Sequence, residues 1–450
     1  MDTIAAISTS LQEAAIGIVR LSGNKSLEII EKISTVKNIH KTPRLMNYGF
    51  IVDDDKKIDE VLIVYFKAPN SYTTEDMVEV HTHGGSISLV RVLNLMLKNG
   101  ARLADKGEFT KRAFLGGRID LTQAESVMDL ISAKTPLNFD IALSHLEGEI
   151  SKTVEGIQSK ILEQLASIAL AIDYPEEDDR ETHEIDLKTN LTDIRENLKT
   201  IIDDSEKGII IESGINTAII GKPNVGKSSI LNKLSKKERA IVTSIAGTTR
   251  DTIEQSTLIK GVRFNLVDTA GIRDTGDEVE RLGVERSKKS FNESELVLFV
   301  LSMDEELNDD DREIIKLISD KKHLIVVNKT DKNVVLNISE IKSLLKGSDI
   351  IYTSVLKNEG IEELENKMFE LSIGSKEIPD RPLIHSIRQI DLIKKATESI
   401  SDALDAVDQK LAYDYIEVDI KMAFDYLSEV IGVTGTDIVE EVFSRFCVGK

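Results

Sequence analysis

The chain's 450 residues exceed what one ordinary hydrophobic core holds together, so two to four domains are expected. A formal charge of −21 excludes a protein that coats nucleic acid by bulk electrostatics, and the lone cysteine, Cys447, excludes an internal disulfide framework or a cysteine zinc site within one chain. No apolar run reaches the roughly 18 residues of a membrane helix, and the start MDTIAAISTSLQEAAIGIVR carries Asp2 and Glu13 where a signal peptide is basic and then apolar; the expectation is a cytoplasmic protein without a membrane part.

Within residues 1–118, IGIVRLSG, DEVLIVYFKAP and DMVEVHTHGG are rich in Val and Ile and bounded by turn residues, which predicts strands of an α+β domain. The same region holds Arg102, Lys106, Lys111, Arg112 and Arg118, a local basic patch that is a candidate contact to RNA or simply a solvated face. From about residue 119 the period changes. Ile157, Ile161, Leu165, Ile168 and Ile172 form a helical stripe, Pro175 and an acidic run mark a loop, and Leu191, Ile194, Leu198 and Ile201 form a second stripe expected to end near Gly208. From 214 to 374, buried strands alternate with helices in the manner of a doubly wound parallel sheet. Helical periodicity returns over 375–450, in Ile393, Ala396, Ile400, Leu404 and Val407 and again from Ile416 to Ile431. The predicted architecture is multidomain: an α+β domain (1–118), an all-α domain in two parts (119–213 and 375–450), and an inserted α/β phosphate-loop domain (214–374).

GKPNVGKSS, at 221–229, follows the strand NTAII and opens a helix, the context a phosphate-binding loop requires. Gly221 and Gly226 let backbone N–H groups close on phosphate, Lys227 offers a cation to the β and γ phosphates, and the Ser228 hydroxyl suits Mg²⁺. NKTD at 328–331 supplies Asp331, whose carboxylate accepts the paired N–H donors of guanine; Asn328 holds the loop and Lys329 lies along the base. DTAG places Asp268 for water-mediated Mg²⁺ binding and Gly271 to sense the γ-phosphate, and Thr249 is the natural second Mg²⁺ ligand. The motifs in this order indicate GTP. Ile272, however, stands where many regulatory GTPases carry the glutamine that orients water. Asp277, Glu278, Glu280 and Glu285 are candidates to replace it, or helix-capping acids with no such role.

GKPNVGKSS, IVTSIAGTTRD, DTAGIRD, DEVERLGVERS, NKTD, SYTTEDMVEV, GEFTKRAFLGGRIDLTQAE and the terminal FCVGK together resemble the MnmE (TrmE) family of tRNA-modification GTPases, over the whole chain. The resemblance implies a nucleotide-contacting set of Asn224, Val225, Gly226, Lys227, Ser228 and Ser229, then Thr243, Ser244, Ile245, Ala246, Gly247, Thr248 and Thr249, then Asp268, Thr269, Ala270 and Gly271, with Asn328, Lys329 and Asp331. It implies G domains that pair in the GTP state around K⁺ held by Asn224, Thr243, Ile245 and Thr248. Glu280 would orient the attacking water, Arg250 would support the ordered switch, and Ile272 would be a packing residue. For the amino-terminal domain it implies a homodimer that binds a tetrahydrofolate derivative, 5,10-methylene-tetrahydrofolate, with Arg20 and Glu79 as candidate ligands and Cys447 as a candidate active-site thiol. Here STSLQEAAIG replaces the family's usual Pro- and Gly-rich turn. Glu79, His81 and His83 share one strand face, so an HxH zinc site is a lesser alternative. The implied partners are tRNA and the flavoprotein GidA (MnmG), bringing FAD and NADH in a heterotetramer or larger assembly. The implied reaction adds an aminomethyl or carboxymethylaminomethyl group to the wobble uridine. A ribosome-assembly GTPase, acting as a binding switch, shares the nucleotide motifs and is the competing reading.

Overall fold

The structure, a computed structural model, describes residues 2–174, 180–235, 255–268, 291–374, 377–379, 382–433, 439, 442–444, 446, 448 and 449. The chain forms two compact units: Met1–Ile131, Ser144–Glu196 and Leu392–Lys450 make the first, Ser132–Leu143 and Asn197–Asp391 the second.

The first unit opens with β1 (Ile4–Ile7), β2 (Ala14–Ser22), α1 (Ser26–Ile33), β3 (Asn47–Asp53), β4 (Lys56–Phe66), β5 (Met77–Gly84), α2 (Ser86–Lys98) and β6 (Arg102–Leu103). The sheet order is β3-β4-β5-β2-β1-β6, with antiparallel neighbours except for the parallel pair β1 and β6. Alternation decides its faces. Val78, Val80 and Thr82 of β5 are buried, whereas Glu79 and His81 are half-buried and His83 is exposed. The apolar face packs with Ile29, Ile30 and Ile33 of α1 and Leu89, Val92 and Met96 of α2. β1, β3 and β6 escape the sequence reading because IAAI and RL are too short, and NYGFIVD too mixed, to carry a strand signal alone.

Helices follow: α3 (Glu108–Leu115), α4 (Leu121–Ser132), α5 (Pro136–Leu146), α6 (Glu149–Asp173) and α7 (Arg180–Ser213), of which α5 up to Leu143 and α7 from Asn197 onward belong to the second unit. In α6, Ile157, Ile161 and Ile168 are buried as the stripe requires. α7 does not stop at Gly208. It continues to Ser213, because Gly208 is a packing position: a Cβ there would lie 2.6 Å from the carbonyl oxygen of Ile384.

The second unit contains β7 (Ile215–Ile220), α8 (Lys227–Ser235), β8 (Gln255–Ile259), β9 (Val262–Asp268), β10 (Leu296–Ser302), α9 (Asp309–Ile318), β11 (His323–Asn328), α10 (Ile338–Leu344), β12 (Ile350–Tyr352) and α11 (Ile361–Ile373). Its sheet order is β12-β11-β10-β7-β9-β8. All seven residues of β10 are buried, as a central strand covered on both faces demands. The sheet is not wholly parallel: β8 pairs antiparallel with β9 through a turn at Lys260 and Gly261, both at positive φ. This hairpin gives the doubly wound sheet an antiparallel edge.

The first unit is completed by the bulk of α12 (Ile387–Asp408) and by α13 (Tyr413–Ile431). Ile393, Ala396, Ile400 and Leu404 are buried along α12, and Ile416, Ile420 and Leu427 along α13. Gln158 of α6 donates to the Ser428 hydroxyl of α13 at 2.8 Å, satisfying both buried polar groups.

Candidate functional site

The phosphate loop lies between the end of β7 and the start of α8, where helix N–H groups and the positive helix end face one point. Lys227 Nζ donates to the carbonyls of Gly221 at 2.9 Å and Lys222 at 2.8 Å, so the ammonium is held over the loop it serves. Asn224 adopts φ 65° and leaves its side chain exposed, while Val225 is fully buried and anchors the loop in the core. Gly226 has φ 102°, and a Cβ there would stand 2.2 Å from Asn328 Nδ2. That close approach is a hydrogen bond: Asn328 Nδ2 donates to the Val225 carbonyl at 3.0 Å, tying the NKTD loop to the phosphate loop in the interior. Asn328 Oδ1 accepts from Thr353 Oγ1 at 3.2 Å. Ser354 Oγ donates to Asp331 Oδ1 at 2.5 Å, and this bond holds the Asp331 carboxyl below the usual carboxylate range. The Ser354 hydroxyl thus fixes the orientation of the Asp331 carboxylate and leaves its other oxygen available as an acceptor. Lys329 sits at φ 61° with its ammonium 3.8 Å from Asp304.

The sequence brought Asn328, Asp331 and the phosphate loop into one hypothesis, and the fold brings them together. It missed Thr353 and Ser354, which read only as the end of a strand; their signal is a hydroxyl pair just past the end of β12. Ser228 and Ser229 open α8, and Asp268 ends β9. Thr243, Ser244, Ile245, Ala246, Gly247, Thr248, Thr249, Arg250, Thr269, Ala270, Gly271, Ile272, Asp277, Glu278, Glu280, Glu285 and Cys447 lie outside the described residues.

In the first unit, a pocket of about 310 Å³ is lined by Ser8, Arg20, Tyr72, Arg118, Leu130 and Gly449 among others. Arg20 on β2 lies directly across from Glu79 on β5, and its Nε and Nη2 donate to Glu79 Oε1 at 3.0 and 2.7 Å. The two candidate ligands are thus partners of each other, and of the two Arg20 faces the pocket. Arg20 also stacks against Tyr72 and Phe109, with 5.5 Å to each ring centre, and Arg118 covers Tyr72 at 4.7 Å. The carboxy-terminal segment reaches this place: Val448 bridges to Lys106, and Ser8 Oγ donates to the Gly449 carbonyl at 3.1 Å.

Of the five residues of the expected basic patch, the fold neutralises two, Arg102 and Arg112. Arg112 is buried and paired with Asp2, Glu75 and Glu108, and Arg102 with Asp2 and Glu108. Arg102 and then Arg112 hold the Asp2 carboxyl down at about 2. The histidines are engaged with carboxylates, His83 with Asp59 at 2.6 Å and His81 with Glu79 at 3.6 Å. Among the described residues no group of three or more His, Cys, Asp and Glu is placed to hold a metal, and no helix is long and apolar enough to cross a membrane.

A family model described as the MnmE helical domain matches residues 121–447, and one described as the GTP-binding protein TrmE N-terminus matches residues 3–118. Proteins called tRNA modification GTPase MnmE from Alkaliphilus metalliredigens and Bacillus subtilis are 46% and 43% identical to this chain, over all of it and over 99% and 100% of their own lengths. The chain belongs to the MnmE family of tRNA modification GTPases. Among solved structures, Aquifex aeolicus Era bound to GDP·AlF₄⁻ covers 41% of this chain and 65% of its own at 28% identity, with a TM-score of 0.30. As an MnmE-family protein the chain is a GTPase with a TrmE amino-terminal domain, a helical domain and a phosphate-loop G domain. The ribosome-assembly reading falls away, because the MnmE family matches the parts of the chain outside the nucleotide motifs as well.

Proposed function

We propose that this chain is the GTP-hydrolysing subunit of a complex that adds an aminomethyl or carboxymethylaminomethyl group to C5 of the wobble uridine of tRNAs. The observation that carries this is the full-length likeness to proteins called tRNA modification GTPase, joined to a nucleotide cradle whose two loops are hydrogen-bonded to each other. Functional boundaries at 1–118, 119–213, 214–374 and 375–450 fit this division of labour.

In the G domain, Asp331 reads guanine, Lys227 and the loop N–H groups bind the phosphates, and Ser228 and Thr249 hold Mg²⁺, which neutralises phosphate charge when bound. Asn224, with its exposed side chain, has a donor set suited to K⁺, joined by Thr243, Ile245 and Thr248. Glu280 orients the water in place of the glutamine that Ile272 displaces, and Arg250 steadies the switch. In the amino-terminal domain, Arg20, braced by Glu79, faces a pocket whose size and lining, Tyr72 with aliphatic and basic side chains, suit part of a reduced folate, and Cys447 is the thiol delivered with the terminal segment. GidA supplies FAD and NADH, the protein works as a homodimer in the cytoplasm, and GTP hydrolysis gates the modification through conformation.

GTP hydrolysis by the purified chain in matched KCl and NaCl tests the G-domain part. The expected result is strong dependence on K⁺ that Asn224→Ala abolishes, with hydrolysis lost in Glu280→Ala while G-domain pairing persists. Equal rates in the two salts overturn it. Wobble-uridine nucleosides from a deletion strain test the tRNA part, and unchanged modification overturns that.

A further inference from the structure

Lys222, the second residue of the phosphate loop, turns its side chain to the segment that leads into α9. Its Nζ is 2.8 Å from Asp311 Oδ2, 3.6 Å from Glu305 Oε2 and 3.4 Å from the Glu306 carbonyl, and the side chain is only 11% exposed. Asp311 is more deeply buried still, with a side chain 1% exposed. It closes a capping box at the start of α9: Asn308 N–H donates to Asp311 Oδ2 and Asp311 N–H donates to Asn308 Oδ1, both at 3.1 Å. Oδ1 of Asp311 is buried without a hydrogen-bond partner. A carboxylate at such a depth needs a counter-charge, and Lys222 is the cation placed on it.

The backbone of the same lysine does a second job, since its carbonyl accepts the Lys227 ammonium. The segment between β10 and α9 is also tied to the base loop. Asp304 accepts from Lys332 at 2.6 Å and lies 3.8 Å from Lys329, while Met303 N–H donates to the Asn328 carbonyl at 2.9 Å. Residues 302–311 therefore bracket both nucleotide loops, with Lys222 and Asp311 at the phosphate end.

We infer that Lys222 is a positioning residue of the phosphate loop, which it holds in its nucleotide-binding form through Asp311 and not by touching phosphate. A loop released from this tie spends binding energy on being reordered, so GDP and GTP both bind more weakly. The loss is uniform for ground and transition states, so it falls on KM and not on kcat.

The test uses the full chain, fluorescent N-methylanthraniloyl-GDP and steady-state GTP hydrolysis. Lys222→Met and Asp311→Asn are each expected to raise Kd and KM about tenfold with kcat held within about twofold. Their double variant is expected to be no worse than either alone, and Lys222→Arg to stay within about threefold of the parent. Asp311→Asn keeps an acceptor for the cap and removes only the charge, so it carries the test if Lys222→Met does not fold. A loss in Lys222→Met with none in Asp311→Asn overturns the inference in favour of direct phosphate contact. Additive losses, or a fall in kcat without a rise in KM, overturn it as well.

Discussion

Asn328→Ala separates the two loops that make the nucleotide site, and its cost can be worked from the hydrogen bonds it removes. Asn328 is 3% exposed and Val225 is fully buried, so the Val225 carbonyl loses its donor where water has little access. Leaving a buried acceptor unpaired costs about 1–3 kcal/mol. The Thr353 hydroxyl, which donates to Asn328 Oδ1, loses an ordinary bond of about 0.5–1.5 kcal/mol. The total is roughly 2–4 kcal/mol, or about 30- to 1000-fold in GDP affinity if nucleotide binding has to restore the alignment. Titration calorimetry with GDP measures it, with Thr353→Ala as a control expected to lose no more than about tenfold. A loss below about threefold in Asn328→Ala would show that the loops hold their positions without this bridge, refuting the reasoning.

Gly208→Ala is expected to destabilise the protein although alanine is the better helix former. The propensity gain of about 1 kcal/mol is outweighed by about 1–3 kcal/mol of overpacking, because the added methyl meets the Ile384 carbonyl oxygen at 2.6 Å. A raised melting temperature would contradict the packing explanation. Asp304 provides a pH prediction. Lys332 and Ser302 lower its carboxyl from 3.8 to about 2, so its stabilisation is complete above the unfolded value and is lost as pH falls from about 4 toward 2. Denaturation midpoints of the parent and Asp304→Asn should differ at neutral pH and converge across that window; a gap that persists at low pH would mean that ionisation is not its source.

The sequence by itself determined the strongly periodic helices, the buried strands of the second unit and the nucleotide motifs. A phosphate loop is legible because Gly, Lys and Ser must follow one another at fixed spacing between a strand and a helix, and NKTD because its Asn closes a buried strand and its Asp follows three residues on. Both are constraints along the chain. The stripes of α6, α12 and α13 are legible for the same reason, since a helix that buries one face must repeat its apolar residues every three or four positions. What only the tertiary structure decided depends on residues distant in sequence. Gly208 reads as a helix end until Ile384 arrives beside it, and Arg112 reads as part of a basic surface until Asp2, Glu75 and Glu108 enclose it. Arg20 and Glu79 become one pair because β2 and β5 register them opposite each other. Lys222 becomes a strut because the start of α9 is folded against it. Periodicity and motif spacing are properties of a single segment, whereas charge pairing and close backbone approach belong to two segments and exist only once the chain has brought them together.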